Sequence, residues 1–319
     1  MSSLEADYAA LSQTGGLVDV SDRTQIELTG ADRAAFLHNL TTNDLRKLPS
    51  GRGCEAFFLD ARGHILALAP IFVGNESHVI ETVPGQGSRL AAHLDRYLIR
   101  EKVEIHDRAG QWGELFLGGA NSPAVLQKLL DVAPPLEALS HVETQLGGCR
   151  VAVRRVDFTL DGGFLIACGA EDAKVVAATL VEGGAVVCGH EAFESARIEA
   201  CTPWYGKDVT EKNLPQEVAR DKRAISFTKG CYIGQETVAR LDALGHVNKL
   251  LVGLHFAGPD VPQDGCELSV DSQVVGQVTS AAWSPRFARP VALGYVRRDH
   301  ATPGTRFTTS VGEAEVAAP

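Results

Sequence analysis

The 319-residue sequence predicts an α+β fold followed by a small β-barrel. Three observations carry this. Amphipathic helical segments and short β-rich runs follow one another in mixed order through the first three quarters of the chain, unlike the regular alternation of a doubly wound sheet. Near residue 245 the texture changes, and Leu250, Val252, Leu254 and Phe256 alternate with period two, as in a half-buried strand. Beyond that point Pro259, Pro262, Gly265, Pro285, Pro290 and Pro303-Gly304 separate short strands, and no strong helix pattern recurs.

Element by element, Thr29 and Asp32 form a capping-box-like start for a helix that carries Phe36, Leu37 and Leu40. Leu90, Leu94, Tyr97 and Leu98 fall at i, i+4, i+7 and i+8 and mark a second helix, ahead of the strand-like Val103-Glu104-Ile105. Ser122-Pro123 reads as N-cap and first helical residue before Val125, Leu126, Leu129 and Leu130. A further helix covers 171–182 and is stopped by Gly183-Gly184. The β-rich runs are 57–59, 65–73, 77–83, 114–117, 149–158 and 164–167. Gly85-Gln86-Gly87 lacks the third glycine of a dinucleotide loop, since Leu90 stands there, and reads as a strand-to-helix turn. Gly51-Arg52-Gly53 reads as a turn before Cys54, with Arg52 free to face a ligand.

Hydrophobic content of 45% and charged content of 22% describe a soluble globular chain. A net charge of −10 argues against general nucleic-acid binding, whose affinity comes mainly from phosphate neutralisation. No apolar run approaches the ~18 residues of a membrane span. The opening Met1-Ser2-Ser3-Leu4-Glu5-Ala6-Asp7 has acids where a targeting segment has basic and apolar blocks. Seven irregularly spaced cysteines fit a reducing, cytoplasmic setting rather than a disulfide framework. No C-x-x-C occurs, and Cys188-Gly189-His190 has no further ligands at metal spacing, so no stably bound metal is expected.

The most informative stretch is Lys229-Gly230-Cys231-Tyr232-Ile233-Gly234-Gln235-Glu236. Lys229 lies two residues before Cys231, and a nearby ammonium favours the thiolate. Gly230 and Gly234 allow sharp turns, and Glu236 with Arg240 at i+4 supports a helix. A reactive sulfur on a turn entering a helix is one reading; a buried structural thiol is the other.

KGCYIGQE resembles the signature of the YgfZ branch of the GcvT-like folate-binding superfamily, whose members assist assembly or repair of iron–sulfur proteins. Segments in the same order strengthen the likeness: Leu28-Thr29-Gly30-Ala31-Asp32-Arg33 with Thr41-Thr42-Asn43-Asp44, then Leu98 to Ile105, Arg197-Ile198-Glu199-Ala200, Pro203 to Asp208, and Asn213 to Glu217. Gly276 to Ser280 and Ala292 to Val296 resemble the superfamily's C-terminal domain. The resemblance implies two intertwined α+β lobes over residues 1–245 and a barrel over 246–319, arranged around a central folate channel.

It further implies tetrahydrofolate as cofactor, folate and iron–sulfur clients or assembly proteins as partners, and an indirect effect on tRNA modification. Cys231 would be the working thiol with Lys229 as its modifier. Glu199 and Arg197, with Tyr232, Gln235, Glu236 and Arg240 around the turn, would hold the folate, the carboxylate of Glu199 accepting from the pterin's aminopyrimidine edge. Cys201 stands where relatives commonly have Gly, which puts close backbone approach there in doubt. The cluster Arg220, Lys222, Arg223 and Lys229 offers charge for a folate glutamate tail. The competing expectation is an aminomethyltransferase of the glycine cleavage type, passing a one-carbon unit to tetrahydrofolate. Those enzymes carry paired aspartates after a Gly-x-Ile segment; here Gly63-His64-Ile65-Leu66 is followed by Ala67-Leu68.

Overall fold

The computed structural model describes residues 3–318; Met1 and Ser2 of the acidic opening and Pro319 at the end of the barrel region lie outside the described residues. After α1 (Ser3–Ala9) the chain lays down β1 (Gly16–Asp19) and turns at once into β2 (Thr24–Thr29), a strand of a different sheet. With α2 (Arg33–Leu40), β3 (Arg52–Leu59), β4 (Ile65–Val73), β5 (Ser77–Thr82), α3 (Gly87–Asp95) and β6 (Glu104–Asp107) it completes the first lobe. That sheet is antiparallel, in the order β3-β4-β5-β2-β6.

The chain then returns to β1. β7 (Trp112–Gly118) pairs antiparallel with it, Gly16 opposite Gly118. α4 (Ser122–Leu129), β8 (His141–Leu146), β9 (Cys149–Val156), β10 (Gly163–Gly169), α5 (Ala173–Glu182) and β11 (Val186–Val187) complete a six-stranded sheet in the order β11-β1-β7-β10-β9-β8. The two lobes are therefore intertwined, because the first strand of the second lobe precedes the whole of the first. α6 (His190–Glu199), α7 (Asp221–Ala224) and α8 (Gln235–Leu244) lead into the barrel. Its strands β12 (Lys249–Phe256), β13 (Glu267–Val270), β14 (Gln273–Ser284), β15 (Arg289–Arg297), β16 (Arg306–Thr309) and β17 (Gly312–Val316) close in the order β12-β15-β14-β13-β16-β17.

Period-two alternation explains β12: Val252, Leu254 and Phe256 pack into the barrel, while Leu251 on the opposite face enters a core shared with the lobes. That shared core joins Phe57 and Leu59 of β3, Ile65 of β4, Tyr205, Tyr232 of the signature turn, and Leu293 of β15. α6 seals the same joint: Ser195 Oγ donates to Trp283 O of β14 at 2.9 Å, and Phe193 meets Phe116 at 4.7 Å between ring centroids. A β-bulge at Leu66 turns both Leu66 and Ala67 toward the helical side of the first sheet and leaves Leu68 facing the shared core.

Three local expectations are corrected. Asp32 flanks α2 without capping it; its Oδ2 accepts from Lys102 N at 2.8 Å and ties the helix start to the approach of β6. Asn121, not Ser122, is the N-cap of α4; Ser122 is the first helical residue and donates to Gly119 O at 2.7 Å. α3 ends at Asp95, so Tyr97 and Leu98 pack from the turn that follows. Among the described residues no helix is long and apolar enough to cross a membrane.

Candidate functional site

The lobes and the long segment after α6 converge on a central cavity of about 40 Å³. Glu55, Leu68 and Val83 come from the first lobe, Phe158 follows β9 of the second, and Trp204 and Arg220 come from the connecting segment. Leu68, the second residue after Gly63-His64-Ile65-Leu66, lies on this wall; Ala67 faces the helices. Glu55 is the one carboxylate lining the cavity, and Arg220 engages both its oxygens, so it is not a free base.

Arg23, which sequence reasoning missed, also lines this cavity and is only 6% exposed. Its Nε donates to Glu81 Oε1 at 2.8 Å, and its guanidinium lies 4.9 Å from the Phe158 ring centroid. Glu81 on β5 belongs to a buried quartet that bridges the sheets: Arg154 Nη1 is 3.2 Å from Glu114 Oε1 and 3.6 Å from Glu81 Oε2. Burial, with the Glu114 carboxylate beside it, holds the Glu81 carboxyl well above the usual range, the two guanidiniums opposing this. Arg23 Nη1 has no hydrogen-bond partner. A buried, cationic, unused donor on a cavity wall is a ready anchor for an acceptor atom of a ligand.

Arg197 and Glu199 of α6, expected at the folate site, are committed elsewhere. All five Arg197 donors are used: Nε and Nη2 engage Glu194, Nη1 reaches Thr202 O at 3.0 Å and Asp208 Oδ2 at 2.9 Å, and Nη2 also meets Ser280 Oγ at 3.0 Å. It locks α6 to the connecting segment and to β14. Glu199, with a side chain only 1% exposed, accepts from Tyr8 and Ser284 and lies 3.9 Å from Arg286 Nε. Burial raises its carboxyl above the ordinary value, although these donors oppose the shift. Neither residue lines the central cavity.

The signature turn packs beneath α2. Lys229 Nζ donates to the carbonyls of His38 and Thr41, both at 2.5 Å, and of Asn43 at 2.8 Å. These are the carbonyls around the C-terminal end of α2, where a cation is favoured. Burial pulls this lysine down to about 8. Lys229 is thus a cap for α2 with its donors spent, a correction to its expected place as modifier of Cys231. Cys231 itself is exposed and does not line the central cavity. Tyr232 is buried, its ring 4.9 Å from Lys229 Nζ, and burial pushes its phenol up to about 12. Gln235 opens α8, and its side chain makes no hydrogen bond among the described residues. Glu236 and Arg240 are both exposed and form no ion pair with each other, so the expected helical pair is not made. Gly234 is needed where it stands: φ is +78° and a Cβ would come within 2.6 Å of Asp60 O.

The basic cluster disperses as well. Arg220 pairs with Glu55 and Arg223 with Asp157, while Lys222 is exposed. Arg52 lies in β3 and pairs with Glu137. No group of three or more His, Cys, Asp or Glu is placed to hold a metal ion among the described residues. Cys201, just past the end of α6, adopts φ of +50°, the left-handed region that explains a preference for glycine here. Cys201→Gly is expected to raise stability by about 0.5–1 kcal/mol, relief of the Cβ strain outweighing the added freedom of the unfolded chain; a lower urea midpoint would contradict it.

Residues 1–229 match the GCVT N-terminal domain, and residues 249–319 match the glycine cleavage T-protein C-terminal barrel domain. An aminomethyltransferase of Halalkalibacterium halodurans is 29% identical across 99% of this chain and 88% of its own length. One from Streptomyces avermitilis is 28% identical across 94% and 82%. The crystal structure of the glycine cleavage system aminomethyltransferase T from Bartonella henselae shares the fold, with a TM-score of 0.89 at 22% identity over 99% of this chain and 88% of that one.

Proposed function

Because the chain belongs to the glycine cleavage T-protein family, we propose that it binds a tetrahydrofolate-type ligand in the central cavity and acts in one-carbon transfer. The observation that carries the binding reading is the unpartnered Nη1 of Arg23 on that cavity's wall. Bound tetrahydrofolate supplies the amine nitrogens that accept a one-carbon unit. Arg23 would donate to an acceptor atom of the ring system, and Trp204 and Phe158 would offer it aromatic faces. The cavity is smaller than a bicyclic ring, so entry requires wall side chains such as Leu68 and Arg220 to turn aside. Arg23→Lys keeps a cation near Glu81 but removes the fork; calorimetry should show affinity for tetrahydrofolate falling by roughly tenfold to a hundredfold, the worth of a charged hydrogen bond. Unchanged affinity in a variant that melts like the wild type would remove Arg23 from the site.

The relatives named aminomethyltransferase support the transfer reading. Two observations favour a second one, a YgfZ-type factor for iron–sulfur proteins working from the cytoplasm. The cavity wall offers no uncommitted carboxylate for proton transfer, Leu68 standing there instead. Cys231 is also exposed, as exchange of sulfur or iron with a client demands. Formation of methylene-tetrahydrofolate from an aminomethylated carrier protein decides for the first. Absence of turnover, together with rescue of iron–sulfur enzyme activity in a deletion strain by wild type but not by Cys231→Ala, decides for the second.

A further inference from the structure

A second cavity, of about 470 Å³, runs along one face of α3 against the β3–β4 turn. It is separate from the central one. Its floor includes Leu66 and Leu90, which pack with the helices on the outer side of the first sheet, whereas the central cavity lies on the opposite face. Arg89, His93 and Arg96 fall at i, i+4 and i+7 and so share the face of α3 and its last turn that borders the cavity; Arg62 comes from the turn opposite.

Two of the three guanidiniums here are unpaired among the described residues. Arg62 and Arg96 make no side-chain hydrogen bond or ion pair among the described residues. Arg89 donates to Tyr205 Oη at 2.6 Å and stands 3.7 Å from the exposed Glu211. Asp60 is the one acid on the wall, and it is already used: it accepts from the backbone N–H of Arg62 at 2.8 Å and of His64 at 2.9 Å, with the His64 ring at 3.2 Å. His93 supplies an independent sign of a missing partner. It is 8% exposed, lines the cavity, and its Nε2 has no hydrogen-bond partner. Burial, then the nearby Arg96 and Arg89, pulls its imidazole down to about 4, with only Asp60 opposing the shift.

We propose that this cavity binds a small, multiply charged anion of the phosphate or polycarboxylate class, clasped between Arg62 and Arg96 with Arg89 at one end. Guanidinium forks match both oxyanion geometries, and His93 then has an acceptor or donor within the same ligand. Occupancy is linked to the signature turn. Thr237 Oγ1 of α8 donates to Arg62 O at 2.8 Å, and Gly234 lies too close to Asp60 O to admit a Cβ. Ordering the Asp60–Arg62 turn therefore steadies the start of the helix that follows Cys231.

The test is calorimetric titration of the full chain with pyrophosphate and with citrate at low ionic strength, alongside NMR of the His93 ring. Binding by pyrophosphate alone assigns phosphate-bearing ligands, binding by citrate alone assigns polycarboxylates, and binding by both supports the shared anion chemistry. Arg62→Gln with Arg96→Gln should weaken binding by roughly tenfold or more per guanidinium removed, whereas Arg298→Gln on the barrel should not. Added salt should weaken it too, and the anion should raise the His93 imidazole toward its ordinary value. Because Arg62 and Arg96 are exposed and unpaired, the double variant should melt like the wild type. The proposal is overturned if neither anion binds, if the double variant binds as well as wild type, or if tetrahydrofolate displaces the anion competitively.

Discussion

Arg197→Met is expected to lower the free energy of unfolding by about 3–5 kcal/mol, the range seen when one member of a buried ion pair is removed. Methionine fills similar space but donates nothing. Asp208, itself buried, would keep bonds from Trp204 N at 2.9 Å and Thr279 Oγ1 at 2.6 Å yet lose its counter-charge. Glu194 would retain Lys207 at 2.9 Å, so most of the loss falls on Asp208, the Thr202 carbonyl and Ser280. The stacking of the guanidinium 4.7 Å over Trp204 would go as well. Urea unfolding measures it: the midpoint should drop at unchanged slope. A change below about 1 kcal/mol would mean that water or repacking replaces the network.

The second large effect depends on pH. Glu81 keeps its proton in the folded chain well above the value of 4.5 at which the unfolded residue releases it. A raised carboxyl contributes fully below the unfolded value, and its contribution is lost as pH climbs toward the folded one. Across that window the unfolded state binds one proton fewer, so wild-type stability falls by about 1.4 kcal/mol per pH unit from this residue alone. Glu81→Gln removes the slope. The stability difference, variant minus wild type, should therefore grow with pH from roughly 5 upward, measured by urea unfolding in matched buffers. A difference that stays flat would place an ionised carboxylate at Glu81.

Much of the architecture was legible because its causes are local. Alternation in Val252, Leu254 and Phe256 is a strand property, and Gly183 after 171–182 is a helix-stop property; both hold in the structure. The caps were less legible, since Asp32 had a competing donor, Lys102 N, that lies 70 residues away. The site was expected from resemblance, and of the residues put at the thiol or the folate only Arg220, read as charge for a glutamate tail, lines the central cavity. Lys229 looked like a partner of Cys231 because the two are neighbours in sequence, yet its acceptors His38, Thr41 and Asn43 lie nearly 190 residues earlier. Glu199, at the last turn of α6, was expected at the pterin edge; Tyr8 and Ser284 occupy its oxygens instead. Arg23 gave no signal at all. A single arginine in a polar turn has no period, and its value comes from Glu81 and Phe158, brought together only by two sheets meeting.

The early placement of β1 has a consequence for synthesis on the ribosome. Its neighbours β7 and β11 are encoded about 100 and 170 residues later. At roughly 5–20 residues per second, Leu17 and Val18 wait some seconds before either strand emerges. The first sheet can meanwhile close without them. A nascent chain therefore carries a finished domain flanked by an unpaired apolar ribbon, the kind of segment holdase chaperones retain, and excising either lobe as an independent unit would leave that ribbon bare.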